Sequence, residues 1–335
     1  MSSAPSATAV PELTFAQAIN AALKEELARD PAVFILGEDV AEAGTPFKVL
    51  SGLVEEFGPE RVLDSPISEA GITGLGVGAA MTGLRPIVDI MFGDFLTLVM
   101  DQLANQAAKI HYMSGGKWRV PLVVRTTLGA TRRSAAQHSQ SLQAWVSHIP
   151  GLKVAIPATP YDAKGLLKTA IRDDSPVVFI EDKLHYPLKG EVPVDEYLIA
   201  LGEADVKREG DDVTIVATSS MVQVSLAAAE LLEKDGISAE VVDPRTTTPL
   251  DEETIVRSVE KTGRAIVVDE GHQRYGVTAE LAAVIAERAF YHLDAPVRRL
   301  GALDVPVPFS PPLEDVTVAT PETVAQVARE LVGKG

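Results

Sequence analysis

Apolar positions recur along this chain in two rhythms. Over residues 14–30, Phe15, Ile19, Leu23 and Leu27 return every fourth position, which predicts an amphipathic helix, and Thr14 with Gln17 three residues on has the form of a capping box. Short runs rich in Val and Ile follow at 33–36, 62–64, 87–91, 122–125, 154–156 and 177–180, alternating with helical patterns. Strands that read as continuous apolar runs are buried on both faces, so the alternation predicts a parallel sheet covered by helices on each side. A second series has strands at 213–217, 239–242, 265–269 and 297–300; its clearest helix sets Met221, Val224, Ala228, Leu231 and Leu232 on one face, with Gly236 near its end. Between 183 and 212 the periodicity fades, and two prolines and several charges mark a surface connection. The expectation is an α/β protein of two domains, 13–190 and 212–335, joined by a linker at 191–211 and preceded by a mobile tail at 1–12 rich in Ser, Ala and Pro.

Composition narrows what such a protein does. A length of 335 residues suits two domains of roughly 100 to 200 residues each. A net charge of -17 repels phosphate backbones and anionic membranes, which argues against a nucleic-acid partner. The absence of cysteine removes disulfides, thiolate metal sites and cysteine nucleophiles, and fits a cytoplasmic setting. The first residues lack the basic start and apolar run of a signal peptide, and apolar stretches elsewhere break before the roughly 20 residues that a membrane span needs.

Four places offer chemistry. Ser65-Pro66-Ile67-Ser68-Glu69-Ala70-Gly71-Ile72 follows a strand and opens a helix, which puts Glu69 where α/β sheets bind ligands; equally, Ser68 as a cap and Glu69 at the positive helix end would be ordinary helix chemistry. Gly71, Gly74, Gly76 and Gly78, with Asp89 and Asp94 downstream, suggest a dinucleotide fingerprint, but the glycines fall along the helix instead of in the turn before it, so close packing explains them better. Phe92-Gly93-Asp94-Phe95 leads into a long apolar helix reaching Met113, with Gln102, Asn105, Gln106 and Lys109 as its polar stripe; that pattern predicts a buried helix, between subunits if not within one, and a packing role for Phe95. His138, in the polar segment Ala136-Gln137-His138-Ser139-Gln140 beside Arg132 and Arg133, stands where loops carry sites, although a lone loop histidine is more often simply solvated. From the residues alone the ordinary reading leads at each of these places.

Read together, further strings carry more. Gly37-Glu38-Asp39-Val40, residues 65–72, Gly83-Leu84-Arg85-Pro86, Asp101-Gln102 through Ala107-Ala108-Lys109, and residues 112–116, 136–140, 148–154, 159–167 and 261–264 occur in order along almost the whole chain. In this set the chain resembles the beta subunits of the thiamine-diphosphate-dependent decarboxylating components of 2-oxo acid dehydrogenase complexes. The resemblance implies a pyrimidine-binding domain followed by a smaller transketolase C-terminal-like domain. It implies that Glu69 hydrogen-bonds the cofactor's pyrimidine nitrogen, that Phe95 packs on that ring with Leu98 nearby, and that His138 handles protons and acyl transfer near the diphosphate. Leu98 departs from pyruvate-type sequences, which carry glutamine there. The resemblance also implies a structural potassium loop from Leu122, Ala170, Ile171, Asp173 and Ser175, magnesium held mainly by a separate alpha subunit, an α2β2 assembly with beta-beta contact, and transfer of the product to a lipoyl acyltransferase. Pyruvate, branched-chain 2-oxo acids and acetoin all stay open as substrates; residues around His138 and over 183–192 are slightly more similar to acetoin-type enzymes. A stand-alone transketolase-like enzyme, a nicotinamide dehydrogenase and a non-catalytic scaffold relative are the rival readings.

Overall fold

The computed structural model describes residues 10–130 and 132–333. Fourteen strands are found among them: β1 (Glu12–Thr14), β2 (Val33–Gly37), β3 (Val62–Asp64), β4 (Arg85–Ile90), β5 (Val123–Leu128), β6 (Lys153–Ala155), β7 (Val177–Asp182), β8 (Lys189–Glu191), β9 (Asp205–Arg208), β10 (Val213–Ala217), β11 (Ala239–Asp243), β12 (Thr246–Thr248), β13 (Ala265–His272) and β14 (Arg298–Ala302). They form a seven-stranded sheet in the order β12-β6-β7-β5-β4-β2-β3, a five-stranded sheet β14-β13-β10-β11-β9, and a β1-β8 ladder.

Both large sheets are parallel except at one edge, and both are buried on two faces, as the runs of Val and Ile require. Along β7 the side chains alternate: Val177 and Phe179 enter the core beneath the helices Phe15–Arg29 and Pro160–Arg172, whereas Val178 and Ile180 enter the core beneath Glu69–Met81 and the helical run from Leu96. In the second sheet Ile215 and Ala217 face Ser220–Glu233 and Pro321–Val332, while Val216 faces Glu252–Thr262 and Val277–Arg288. Each such side chain contributes roughly 1.5–3 kcal/mol by leaving water, so two independent two-sided cores hold the two halves. The capping box is present, with Thr14 accepting from Gln17 N and Gln17 accepting from Thr14 N.

Several expectations change. Most of the expected tail, residues 1–9, lies outside the described residues, but its last residue, Glu12, opens β1 and pairs with Glu191. The stretch read as a linker contains β9, antiparallel to β11. The three threonines of β12 leave the second half of the chain to pair antiparallel with β6 at the edge of the first sheet, so a strand joins the two halves. The run from Gly93 to Met113 is not one α-helix: a 3-10 turn (Gly93–Phe95) and a short α-helix (Leu96–Met100) lead into a π-helical stretch (Asp101–Ala107) before the last α-helix (Ala108–Met113). Nor is it wholly buried, since Leu98 is 53% and Tyr112 88% exposed.

Candidate active site

Strand order defines where a ligand belongs. The chain runs from β2 outward to β3, then crosses back past β2 to form β4, so the order reverses between β2 and β4, and a crevice opens beyond their carboxyl ends. Residues that follow the carboxyl ends of the parallel strands line this edge: Glu38 after β2, Ser65 to Glu69 after β3, Phe92 to Phe95 after β4, the His138 loop after β5 and Lys183 after β7.

Glu69 is the first residue of the helix Glu69–Met81 and is partly exposed. Ser68 stands at the N-cap without a side-chain capping bond, while Glu69 does occupy the first turn, where the helix dipole favours a carboxylate; the Ser68 hydroxyl crowds Gly71, where an added Cβ would lie 2.7 Å from Ser68 Oγ. Burial, and then the neighbouring Asp39 and Glu69 carboxylates, push the Glu38 carboxyl up, which places two acids at one mouth. Glu38 follows directly on the buried run of β2, and that position was the signal the sequence offered for it.

The glycines of the same helix do what packing asks of them. An added Cβ on Gly76 would meet Val88 Cγ2 at 2.6 Å, and one on Gly74 would face Gln102 Cγ at 3.8 Å, so this helix lies close on the sheet and on the neighbouring helical run. Asp89 and Asp94, the acids considered for a ribose, are both buried and engaged. Asp89 pairs with Arg125 in a network with Glu181 and Tyr186, and Asp94 Oδ1 accepts from Gln140 N and Nε2 at 3.2 and 2.9 Å. Neither is free to hold a dinucleotide.

Phe95 and His138 meet. The His138 ring stands edge-on to Phe92 at 4.7 Å and to Phe95 at 5.5 Å, so Phe95 does pack, as its position alone suggested, and it packs on His138. The loop around His138 has no regular structure and is tied down by charge. Asp94 anchors Gln140, Lys183 Nζ donates to the His138 carbonyl, Arg132 Nη1 donates to the Lys183 carbonyl at 3.0 Å, and Arg133, at φ 59°, pairs with Glu314 and Asp315 of the second half, each at 2.7 Å. Arg132 and Arg133, unassigned from sequence, are thus the straps of this loop.

The loop named for a cation carries protein donors. Leu122 O accepts from Val177 N at 2.9 Å and Ala170 O from Asp173 N at 3.3 Å, while Ile171 O and Asp173 O both accept from Arg85 Nη1 at 3.0 Å. The Asp173 carboxylate pairs with Lys153 at 2.6 Å and accepts from Ser175 N at 2.8 Å. Among the described residues no group of three or more His, Asp or Glu side chains is arranged to hold a metal ion. A cleft of about 840 Å³ between the two halves, lined by Trp145, His148, Thr248 and Tyr275, includes none of Glu69, Phe95 and His138.

On the helices that lead away from the crevice large apolar side chains stand in the open, among them Leu75, Leu98 and Met113, all at least half exposed, as is Ile67 in the turn before Glu69. The crevice presents a wall with a carboxylate, aromatic faces and a histidine. Such a wall on two α/β domains of this topology defines a transketolase-type protein. Residues 11–189 match the family described as transketolase, pyrimidine binding domain, and residues 202–324 the transketolase, C-terminal domain. The fold is shared with a split gene transketolase, an inactive beta4 tetramer, at TM-score 0.79 and 24% identity over 96% of this chain and 98% of that one.

The chain belongs to the family of dehydrogenase beta subunits of this type. It is 51% identical over 96% of its length to the acetoin:2,6-dichlorophenolindophenol oxidoreductase subunit beta of Bacillus subtilis, covering 98% of that protein. It is 48% identical to the 2-oxoisovalerate dehydrogenase subunit beta (95% of this chain, 98% of the relative) and to the pyruvate dehydrogenase E1 component subunit beta (96% and 99%) of the same organism. Mitochondrial pyruvate dehydrogenase beta subunits match as well, at 47% identity for one from Oryza sativa over 96% of this chain and 87% of that protein. No helix among the described residues is long and apolar enough to cross a membrane.

Proposed function

We propose that this chain is the beta subunit of a thiamine-diphosphate-dependent dehydrogenase component, which acts with an alpha subunit on a 2-oxo acid or on acetoin and passes the acyl group to a lipoyl-bearing acyltransferase in the cytoplasm. The observation that carries this reading is that Glu69, Phe95 and His138 all follow carboxyl ends of parallel strands along the edge where strand order reverses, with Phe95 packed on His138. When bound, thiamine diphosphate supplies a nucleophilic ring carbon and an electron sink, and the residues here fit its pyrimidine end, with a carboxyl for a ring nitrogen and aromatic edges for its face.

In this reading the Glu69 carboxyl holds the pyrimidine ring by one hydrogen bond and shares its proton with a ring nitrogen. Phe95 keeps water from the ring, and Leu98 lines the approach. His138, held edge-on between two phenyl rings, gives and takes a proton at an imidazole nitrogen beside the substrate. In this reading the magnesium that accompanies the diphosphate takes its oxygen ligands mainly from the alpha subunit. A potassium ion at 170–175 would share its carbonyl oxygens with Arg85. The exposed apolar residues of the two helices give an α2β2 assembly surface to bury, and the acidic exterior suits a basic docking domain of the acyltransferase.

Glu69→Gln tests the assignment. In a complex assembled with an alpha subunit, the variant is expected to bind the cofactor and lose proton exchange at its reactive carbon, because an amide cannot share the proton; exchange at the parent rate refutes the role and favours a scaffold. Turnover of pyruvate, 3-methyl-2-oxobutanoate and acetoin by the parent complex decides between the substrate classes.

A further inference from the structure

Lys183 is 1% exposed at the end of β7, one residue past the last strand position. Burying an ammonium is costly unless it is paired, and burial does push this one below the ordinary lysine range, offset by the carboxylates of Asp94, Glu270 and Asp182. Yet none of those acids is an ion-pair partner. Its hydrogen bond goes to a neutral acceptor, the backbone carbonyl of His138. The same Nζ lies 5.4 Å over the ring of Phe92, and Phe92 is the ring that stands 4.7 Å from the imidazole of His138 at an interplanar angle of 82°. One buried charge therefore holds both the backbone of His138 and the aromatic face against which its ring rests. The lysine is itself held on both sides: its carbonyl accepts from Arg132, and Glu270, from β13 of the second sheet, lies near enough for the Lys183 charge to lower that acid against the stronger upward push of burial.

We infer that Lys183 is a positioning residue for His138, fixing the imidazole for proton transfer through its carbonyl and through Phe92 without itself meeting substrate. The inference rests on the reading of His138 as the proton-handling group. An ammonium serves here where an apolar side chain would not, because only a donor satisfies the loop carbonyl and only a cation is drawn to the ring face. The carboxylates of Asp94 and Asp182 favour its charged form without taking its hydrogen bond, which goes to the His138 carbonyl.

The test is a double-mutant cycle in the complex assembled with an alpha subunit and loaded with thiamine diphosphate and magnesium. Lys183→Met is expected to lower kcat roughly 10- to 100-fold, the cost of misplacing a group by about an ångström, with KM and cofactor affinity near the parent values. In a His138→Ala background the same change should have almost no further effect on kcat. Lys183→Ala should recover part of its rate with ethylammonium and none with ethanol, which separates loss of the charge from loss of the fold; if the Met variant does not assemble, this rescue carries the test. Parent turnover in Lys183→Met, an equal further loss in the His138→Ala background, or absence of rescue in an assembled Ala variant overturns the inference while leaving the role of His138 standing. Parent turnover in His138→Ala alone overturns both.

Discussion

Gly93 sits where the strand β4 gives way to the turn that carries Phe95. A Cβ added to it would lie 2.3 Å from the carbonyl oxygen of Thr127, against the 3.4–4 Å of ordinary contact. Thr127 cannot yield: it lies within β5, laddered to β7 with Thr127 opposite Glu181, and its neighbour Thr126 is laddered to Ile90 of β4. In Gly93→Ala the turn must therefore move instead, by about 1 Å, taking Phe92 and Phe95 with it and loosening the ring contacts to His138. A shift of that size in a catalytic group costs about 10²-fold in rate, and overpacking at a well-filled position costs about 1–3 kcal/mol of stability. Turnover of the assembled complex and its thermal unfolding measure the two effects separately. The expected result is a folded complex with a rate reduced by about two orders of magnitude; parent activity in a folded variant would show that the turn does not position the site.

Two further outcomes follow from the buried charges. Burial pushes Asp89 up to about 6, against the pull of Arg125, so its proton is held more tightly in the folded chain than in the unfolded one. The stability this brings is complete below the unfolded carboxyl range and is lost as pH rises toward 6, by roughly 3 kcal/mol; denaturant unfolding of Asp89→Asn between pH 4 and 7 should lack that part of the fall, and an identical pH slope in parent and variant would refute it. Gln143→Leu should destabilise by roughly 1–3 kcal/mol, because Gln143 Nε2 donates to both oxygens of the buried Asp269 across the two halves, at 2.9 and 2.8 Å; an unchanged midpoint in urea would show that the other donors to Asp269, Thr218 Oγ1 and Gly271 N, suffice.

Much of this architecture was legible because it rests on burial. The runs at 33–36, 62–64 and 177–180 became β2, β3 and β7 within a residue or two, since strands covered on both faces have no polar side to hide. What escaped rests on pairing between distant segments. Thr246, Thr247 and Thr248 form β12 only because β6 offers an edge about ninety residues earlier, and the polar β9 is likewise defined by its partner β11. The π stretch Asp101–Ala107 keeps an apolar pattern close to that of an α-helix, so nothing in its spacing announced it. At the site, Glu69 and His138 were visible as candidates but not as partners, because parallel register and a reversal of strand order bring them to one edge. Lys183 was passed over as the start of a surface connection; a charge directly after the buried run of β7 was the signal.

In the proposed function this chain supplies one wall of a site that an alpha subunit completes. Calorimetric titration of the purified chain with thiamine diphosphate and magnesium, alongside decarboxylation of 2-oxo acids, tests it most directly. The account predicts no tight, metal-dependent binding and no turnover until an alpha subunit is added; tight binding with turnover by this polypeptide alone would contradict it.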